Sequence, residues 1–532
     1  MSSRFSAYAL ASASGLLLAL SFPKFGHPAF GWIALAPLLV ALAGATSARA
    51  FRLGLLTGVV YFTGTLYWIT GVMATYGDMA RWVAMPINAG LVLYQSLYTA
   101  LFALALRRIL VKHGPDALIA APVVWVAMEL GRTRILTGFP WVLLGYSQTT
   151  VLPIAQFASI FGVYGVSMLV ASVSAAVATF VVSNAKRAKP AEKNGFVLRA
   201  SRPLRSYVPP VVVFTTVVGV AVWGSRRAAV AEWTHTGEPI RVGLIQGNID
   251  QDEKVQAGRA AAIFQDYLDM TRQAIREGAE FAIWPESSTP FRFEDDLLGA
   301  ARIRALAQQA RVPILFGSDQ FVPGAHGAPM TFYNSAFLVT PDGTTGGVYR
   351  KMHLVPFGEY VPVKHLLFFA APLVQAVSDF SAGDDAVLLP VAGHLISTAI
   401  CYEVVYPDLV RQFVTGGSEM LTTITNDAWF GPTSAPYQHF EQASMRAIEM
   451  GRYLVRSANT GVSGIVDPYG RVVVRTAIFQ RAVVVGQARF LRTSTFYARH
   501  GDILAYASVL VTVVLLVFAR RPGPFGPGSR QV

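Results

Sequence analysis

The chain has 532 residues, 53% of them hydrophobic and 14% charged, with a mean hydropathy of +0.44. That balance excludes both a disordered chain and an ordinary soluble enzyme, in which about a quarter of residues are charged. The net charge of +13 fits nucleic acid, an anionic membrane surface or topology-setting loops, while a single cysteine excludes an intramolecular disulfide and a cysteine zinc cage.

Taken in chain order, a window of about 19 residues predicts eight apolar spans. They lie at 7–22, 29–45, 53–71, 83–106, 117–131, 153–182, 207–224 and 502–519. The first is followed by Phe22-Pro23-Lys24-Phe25 and no small-residue cleavage site, so it is expected to stay as an anchor. One set of connections holds sixteen basic residues, including Arg49, Arg52, Arg107, Arg108, Lys112 and seven between Lys186 and Arg205. The alternate short loops hold only Lys24, Arg81, Arg132 and Arg134. The positive-inside rule then predicts cytoplasmic termini and places the block 225–501 on the opposite side. Set against Asp116 and Glu192, the cytoplasmic set carries +14, which leaves −1 for the rest of the chain. The excess charge is thus topogenic, and the soluble block has no basic stripe for nucleic acid. The segment 186–206 reads as a basic cytoplasmic loop. The expected domains are a transmembrane helical domain at 1–224 with seven spans, an extracytoplasmic soluble domain at 225–495, an eighth transmembrane helix at 496–520 and a disordered cytoplasmic tail at 521–532.

The soluble block alternates strands and helices. Strands are predicted at 240–247, 280–284, 312–318, 333–340, 346–352, 395–402, 420–426, 462–467 and 482–488, with helices at 257–277, 297–311, 404–415 and 436–451. In the first helix Ala260, Ile263, Phe264, Tyr267, Leu268 and Ile275 recur at helical spacing. The alternation argues an α/β sandwich rather than an all-β domain.

Three residues could carry chemistry. Cys401 stands where an apolar strand meets a helix, a position that favours thiolate character, although a free cysteine is most often a small core residue. Glu286, in Trp284-Pro285-Glu286, lies just past the C-terminal end of a strand, where α/β ligand sites form, and could serve as a general base. Alone it could equally be a capping or surface carboxylate. Lys351, in Tyr349-Arg350-Lys351-Met352-His353, could hold an oxyanion, though a lone lysine is usually a solvated charge. His353 is a weaker candidate. Thiol, carboxylate and cation together are the parts of an acyl-transfer site. No HExxH, cysteine pair or glycine-rich phosphate loop is present, so no metal and no cofactor is expected.

These residues carry a family resemblance. Trp284-Pro285-Glu286, Lys351 with His353-Leu354-Val355-Pro356-Phe357-Gly358-Glu359, Cys401-Tyr402-Glu403 and Asn426-Asp427-Ala428-Trp429-Phe430 resemble the nitrilase superfamily. Phe22-Pro23, Ala36-Pro37-Leu38-Leu39, Gly138-Phe139-Pro140-Trp141, Gly145-Tyr146-Ser147-Gln148 and Gln246-Gly247-Asn248-Ile249 extend the likeness to its membrane-embedded apolipoprotein N-acyltransferase family, over residues 5–520. The resemblance implies eight transmembrane helices and an αββα sandwich. It implies Glu286 as general base, Lys351 as oxyanion stabiliser and Cys401 as acylated nucleophile. Glu359, Tyr402 and Glu403 match further active-site positions. Glu359 could orient Lys351 or assist proton transfer, and Glu403 could steer the incoming amine. Trp141 resembles a membrane-side tryptophan near a lipid entrance. One departure is Val255 after Lys254, where relatives often carry Trp. The apolar segment 361–377 is expected to act as a mobile interfacial arm.

The implied reaction moves a fatty acyl chain from a glycerophospholipid, with phosphatidylethanolamine the expected donor. It passes through a cysteine thioester to the α-amino group of a diacylglyceryl-cysteine on an apolipoprotein. A bacterial inner-membrane location and a monomer are expected. Two other readings stay open: a membrane-tethered nitrilase-type amidase, and a transporter or lipid-binding scaffold whose soluble block only docks. The scaffold reading expects broken helices with ionisable residues mid-membrane, and the only intramembrane acid is Glu129, near the end of its span.

Overall fold

The computed structural model describes residues 2–77, 79–187, 202–254, 257–323, 330–356, 358–360 and 380–520. Most of the basic segment 186–206, Val255, the 361–377 segment and the tail 521–532 lie outside the described residues. The chain divides into two compact units. The first comprises Met1–Tyr67, Met85–Arg227 and Asp502–Val532, and the second comprises Trp68–Ala84 and Ala228–Gly501. The segment 68–84, expected within the transmembrane domain, therefore groups with the sheet-containing unit.

The helices in chain order are α1 (Ser2–Ala19), α2 (Ala36–Leu42), α3 (Ser47–Leu66), α4 (Trp68–Tyr76), α5 (Arg81–His113), α6 (Ala121–Arg134), α7 (Ala158–Arg187) and α8 (Arg202–Val230). In the first unit, Gly54 of α3 lies so close to α5 that a Cβ there would sit 2.5 Å from the Thr99 carbonyl. Small residues at such crossings are how apolar helices pack without a water-driven force. Glu129 of α6 is buried inside this unit, accepting from the Trp125 indole N–H at 3.0 Å and the Leu144 N–H at 2.7 Å. Arg132, assigned from sequence to a short loop, is instead a buried residue of α6 and donates to the Trp141 carbonyl at 2.9 Å. Two carbonyls freed by the non-helical Gly138–Val142 stretch draw it inward, since Val142 accepts from it as well.

Among the described residues, Arg81–His113, Ala158–Ala185 and Pro210–Thr234 are long and apolar enough to cross a bilayer. The bent pair Ser47–Leu66 with Trp68–Tyr76 makes a fourth if counted as one span. Phe5–Ala19, Pro28–Leu42 and Ile503–Ala519 are apolar but shorter. The expected run at 117–131 becomes a turn at Pro115–Ala120 followed by the 14-residue α6, which rises only about 21 Å. Eight spans are thus an expectation that helix lengths alone do not establish.

The second unit is a four-layer sandwich. Its strands are β1 (Pro239–Gln246), β2 (Phe281–Ile283), β3 (Ile314–Val322), β4 (Thr331–Val339), β5 (Thr345–Arg350), β6 (Leu389–Val391), β7 (His394–Ile400), β8 (Met420–Thr425), β9 (Leu454–Ala458), β10 (Gly464–Val466), β11 (Val472–Arg475) and β12 (Ala482–Arg489). They form two six-stranded sheets, ordered β12-β1-β2-β3-β4-β5 and β11-β10-β9-β8-β7-β6. β1, β2 and β3 run parallel, as do β7, β8 and β9, and the outer strands are antiparallel. The sheets pack face to face through β1 and β9 and through β5 and β6. Helices α9 (Ala257–Arg276) and α10 (Leu297–Ala310) cover the first sheet, and α11 (Pro407–Thr415) and α12 (Ala435–Met450) cover the second.

The sequence pattern explains these layers. Ile263, Phe264, Tyr267 and Leu268 of α9 are buried, and they meet Trp284, Phe316 and Phe337 in one core. Asp296 caps α10 by accepting from the Gly299 N–H at 2.8 Å. The αββα expectation therefore holds. Three strands went unread in the sequence: β6, β9 and β11. A final helix, Ile503–Arg520, belongs to the first unit.

Candidate active site

The two sets of parallel strands deliver their C-terminal ends to one place, the usual position of ligand sites in α/β sheets. Glu286 follows β2, Lys351 follows β5 and Cys401 follows β7. The three predicted residues come together in the second unit, and each is at least nine-tenths buried.

Glu286 is held at both oxygens. Oε1 accepts from Asn334 Nδ2 at 2.8 Å, and Oε2 accepts from the Asn426 N–H at 2.8 Å. Its backbone lies flat against β3. A Cβ at Gly317 would come within 2.4 Å of the Ser287 nitrogen and 2.7 Å of Glu286 Cα, so only glycine admits this loop.

Lys351 Nζ lies 2.7 Å from Glu359 Oε1 and 3.5 Å from Glu286 Oε1. Burial alone would lower its pKa, but the charges of Glu359 and Glu286 outweigh that and raise it. Lys351 is therefore a fixed cation. Glu359 also accepts from the Val355 N–H at 2.7 Å and from Asn334 Nδ2 at 3.1 Å. Asn334 thus bridges the two carboxylates that flank the lysine. Its backbone carbonyl also accepts from the Lys351 N–H at 2.9 Å.

Cys401 opens a short 3-10 turn, Cys401–Val405, with its backbone at φ 53°, in the left-handed region. The helix-terminus effect expected to lower the thiol pKa is outweighed. Burial raises it, Glu286 raises it further, and Lys351 only partly opposes them. This setting favours the neutral thiol. For its sulfur to attack, a base would have to take the proton, and Glu286 is the carboxylate whose charge acts on it most strongly.

Glu403 is fully buried. Oε2 accepts from the Ile400 N–H at 2.7 Å, while Oε1 accepts from Tyr349 Oη at 2.7 Å and from the Met352 and His353 N–H groups at 2.7 and 3.0 Å. This carboxylate ties the Lys351 loop to the Cys401 turn, a geometry that does not point it at an incoming amine. Burial pushes its pKa up to about 7. Tyr402 is buried and its hydroxyl accepts from Tyr406 at 2.9 Å. The His353 ring lies 3.8 Å from that of Tyr406, and burial lowers its pKa to about 4. Trp141 belongs to the first unit, where it is buried and its ring lies 6.1 Å from that of Phe139.

Sequence reasoning missed Asn334, Thr425, His439 and Arg456, and it took Asn426 and Asp427 only as a motif. The available signal was polar side chains inside apolar elements: Asn334 in β4, His439 in α12 and Arg456 in β9.

The family model for the carbon-nitrogen hydrolase domain matches residues 241–493. The model for the N-terminal domain of apolipoprotein N-acyltransferase matches residues 14–176. The crystal structure of Saccharomyces cerevisiae Nit3, a member of branch 10 of the nitrilase superfamily, is 16% identical, with a TM-score of 0.38 over 47% of this chain and 90% of that one. The sandwich, the matched domain and the buried Glu–Lys–Cys cluster define a catalytic domain of the carbon-nitrogen hydrolase, or nitrilase, class. Relatives extend across the whole chain. The apolipoprotein N-acyltransferase of Geobacter metallireducens is 40% identical over 517 residues, covering 97% of this chain and 95% of its own length. That of Methylococcus capsulatus is 34% identical over 523 residues, covering 96% of each. The chain belongs to the apolipoprotein N-acyltransferase family.

Proposed function

We infer that this bacterial membrane acyltransferase takes a fatty acyl chain from a glycerophospholipid and passes it to the α-amino group of a diacylglyceryl-cysteine on an apolipoprotein. The observation that carries this reading is the Glu286–Lys351–Cys401 cluster on a chain whose N-terminal region matches a domain found in N-acyltransferases.

The chemistry follows from the geometry. Glu286 accepts the Cys401 proton while the sulfur attacks the ester carbonyl of the lipid. Lys351, unable to lose its proton in this setting, stabilises the oxyanion. The lyso-lipid alkoxide leaves as an alcohol, taking the proton from Glu286, and the acyl group stays as a thioester. The lipoprotein amine then attacks the thioester and Glu286 takes its proton. The tetrahedral intermediate collapses to an amide and returns the proton to the sulfur. Glu359 and Asn334 keep Lys351 and Glu286 at working separation. Both substrates reside in a bilayer, and a site tethered there gains effective concentration.

Phosphatidylethanolamine is the donor we propose, with the catalytic domain on the periplasmic face of the inner membrane, both termini cytoplasmic and eight spans. The charge distribution of the loops supports this topology. Trp141 is proposed to stand near the lipid entrance.

Intact mass spectrometry tests the reading. Purified protein incubated with phosphatidylethanolamine vesicles should gain one acyl mass, absent in Cys401→Ala. Adding a diacylglyceryl-cysteine peptide should discharge it onto the peptide amine. Hydrolysis of a small amide without any lipid-derived adduct would favour the amidase reading instead.

A further inference from the structure

Behind Cys401 lies a set of buried polar groups outside the Glu–Lys–Cys cluster. Asp427, His439 and Arg456 are each fully buried. Asp427 Oδ2 accepts from Arg456 Nη2 at 2.9 Å, and its Oδ1 lies 3.0 Å from His439 Nδ1 and accepts from Thr425 Oγ1 at 2.8 Å. The other imidazole nitrogen, Nε2, lies 3.2 Å from the carbonyl oxygen of Cys401.

A carbonyl carries no proton, so the hydrogen in that contact belongs to His439. Nδ1 faces both the Asp427 carboxylate and, at 3.0 Å, Arg456 Nη2. Whether Nδ1 donates to the one or accepts from the other, Nε2 remains the donor to Cys401. The bond therefore does not depend on the charge of the ring.

Its target is unusual backbone. Cys401 is a non-glycine residue at φ 53°, a conformation that persists only where surroundings over-determine it. Two bonds grip it: Glu403 takes the Ile400 N–H on one side, and His439 takes the Cys401 carbonyl on the other. Together they fix the backbone that carries the thiol.

The same loop sets the base, because the Asn426 N–H donates to Glu286. Its outer end is clasped by α4. Tyr76 Oη donates to the Ala428 carbonyl at 2.8 Å, across 352 residues of sequence. The Tyr76 and Trp429 rings meet edge to face at 5.0 Å, as do Trp68 and Phe430. Phe430 in turn stands edge-on to His439 at 5.9 Å. An unbroken series of contacts thus runs from α4 to the carbonyl of the nucleophile.

We propose that His439 is a positioning residue for Cys401 and that α4, through Trp68 and Tyr76, holds the 426–430 loop that seats it. The nucleophile and base of this enzyme are then aligned by a helix from the N-terminal part of the chain. The inference rests on Cys401 being the acylated nucleophile, and it adds residues outside the Glu–Lys–Cys set.

The single cysteine makes the test clean, since alkylation of the full-length protein by iodoacetamide reports Cys401 alone. His439→Met keeps bulk without a donor, whereas His439→Gln keeps an N–H. His439→Met should slow both iodoacetamide alkylation and single-turnover acylation from phosphatidylethanolamine vesicles by about 100-fold per folded molecule, with the KM for lipid unchanged. His439→Gln should recover at least roughly tenfold of that loss, and Tyr76→Phe should slow the same step by roughly tenfold. Folded fraction is read from thermal unfolding. Equal rates for the Met and Gln variants, or full alkylation and acylation rates in His439→Met, would overturn the proposal. If His439→Met does not fold, Tyr76→Phe decides it: a wild-type acylation rate there overturns the role of α4. Wild-type protein that is alkylated yet takes no acyl group from lipid would instead defeat the functional reading.

Discussion

Cys401 is a neutral thiol at rest because burial and the nearby Glu286 charge both oppose its ionisation. Its alkylation rate should therefore keep rising with pH beyond the ordinary cysteine range near 8.5, with no plateau there. Iodoacetamide kinetics between pH 6 and 10 test this, and a plateau near 8.5 would contradict it. Glu286→Gln should cut thioester formation by about 10²–10⁴-fold, because the proton then has no acceptor. Quantifying the acyl adduct by mass against time reads that loss. His353 offers a test of stability. Burial, the largest cause, holds its pKa at about 4, Asp408 opposing and Lys351 adding to it, while an unfolded chain has the ordinary 6.5. Between those values the unfolded chain binds the extra proton. The contribution is therefore fully present above about 6.5 and is lost as pH falls towards 4. Thermal midpoints at pH 7.5 and 5.5 should differ more in the wild type than in His353→Gln. An identical pH response in both would refute the assignment.

At the scale of elements, β3 and the turn after β2 are fitted by one missing methyl group. Gly317→Ala would press a Cβ into the Ser287 nitrogen and Glu286 Cα, both backbone atoms that cannot swing aside. A loss of about 1–3 kcal/mol in stability is expected, together with displacement of the base. Denaturant midpoints and adduct formation should fall together; normal acylation in Gly317→Ala would show that the turn can move freely. The element readings also show why some strands were hidden. β9 is Leu-Val-Arg-Ser-Ala, and Arg456 at its centre breaks the apolar run. The strand is buried throughout because Asp427, 29 residues earlier, neutralises that guanidinium. Nothing local announces such a pairing. β7 after His394 and all of β8 carry no charged residue and were legible as strands.

At the scale of the molecule, the sixteen basic residues on one set of connections are the basis for proposing cytoplasmic termini. Arg132 does not weaken that count. It was assigned to the sparse set, and the structure moves it out of any loop and into α6. Fusing an enzyme reporter that is active only in the periplasm at residue 190, and another after residue 520, should give no signal. Insertion in the exposed Pro341-Asp342 turn should give signal. A signal at 190 would reverse the proposed orientation. The grouping of 68–84 with the sheets is the other feature of this scale, and it links the N-terminal part of the chain to the catalytic loop.

The sequence by itself determined the class of chain, an α/β sandwich in the soluble block and a thiol, a carboxylate and a lysine at element ends, while the αββα layering was implied by the family resemblance. The first three rest on local signals: hydropathy over a window, strand and helix periodicity, and residue type at element ends. Tertiary structure decided what those groups are worth. It made Cys401 a buried neutral thiol where position suggested a thiolate, turned Glu403 into a tie between two loops, and brought in Asn334, His439 and Arg456. Those depend on pairings between residues far apart in the chain, such as Asn334 with Glu286 across 48 positions and Asp427 with Arg456. A buried polar group looks like an interruption until its partner folds against it, because its cost in the interior is cancelled only by that partner.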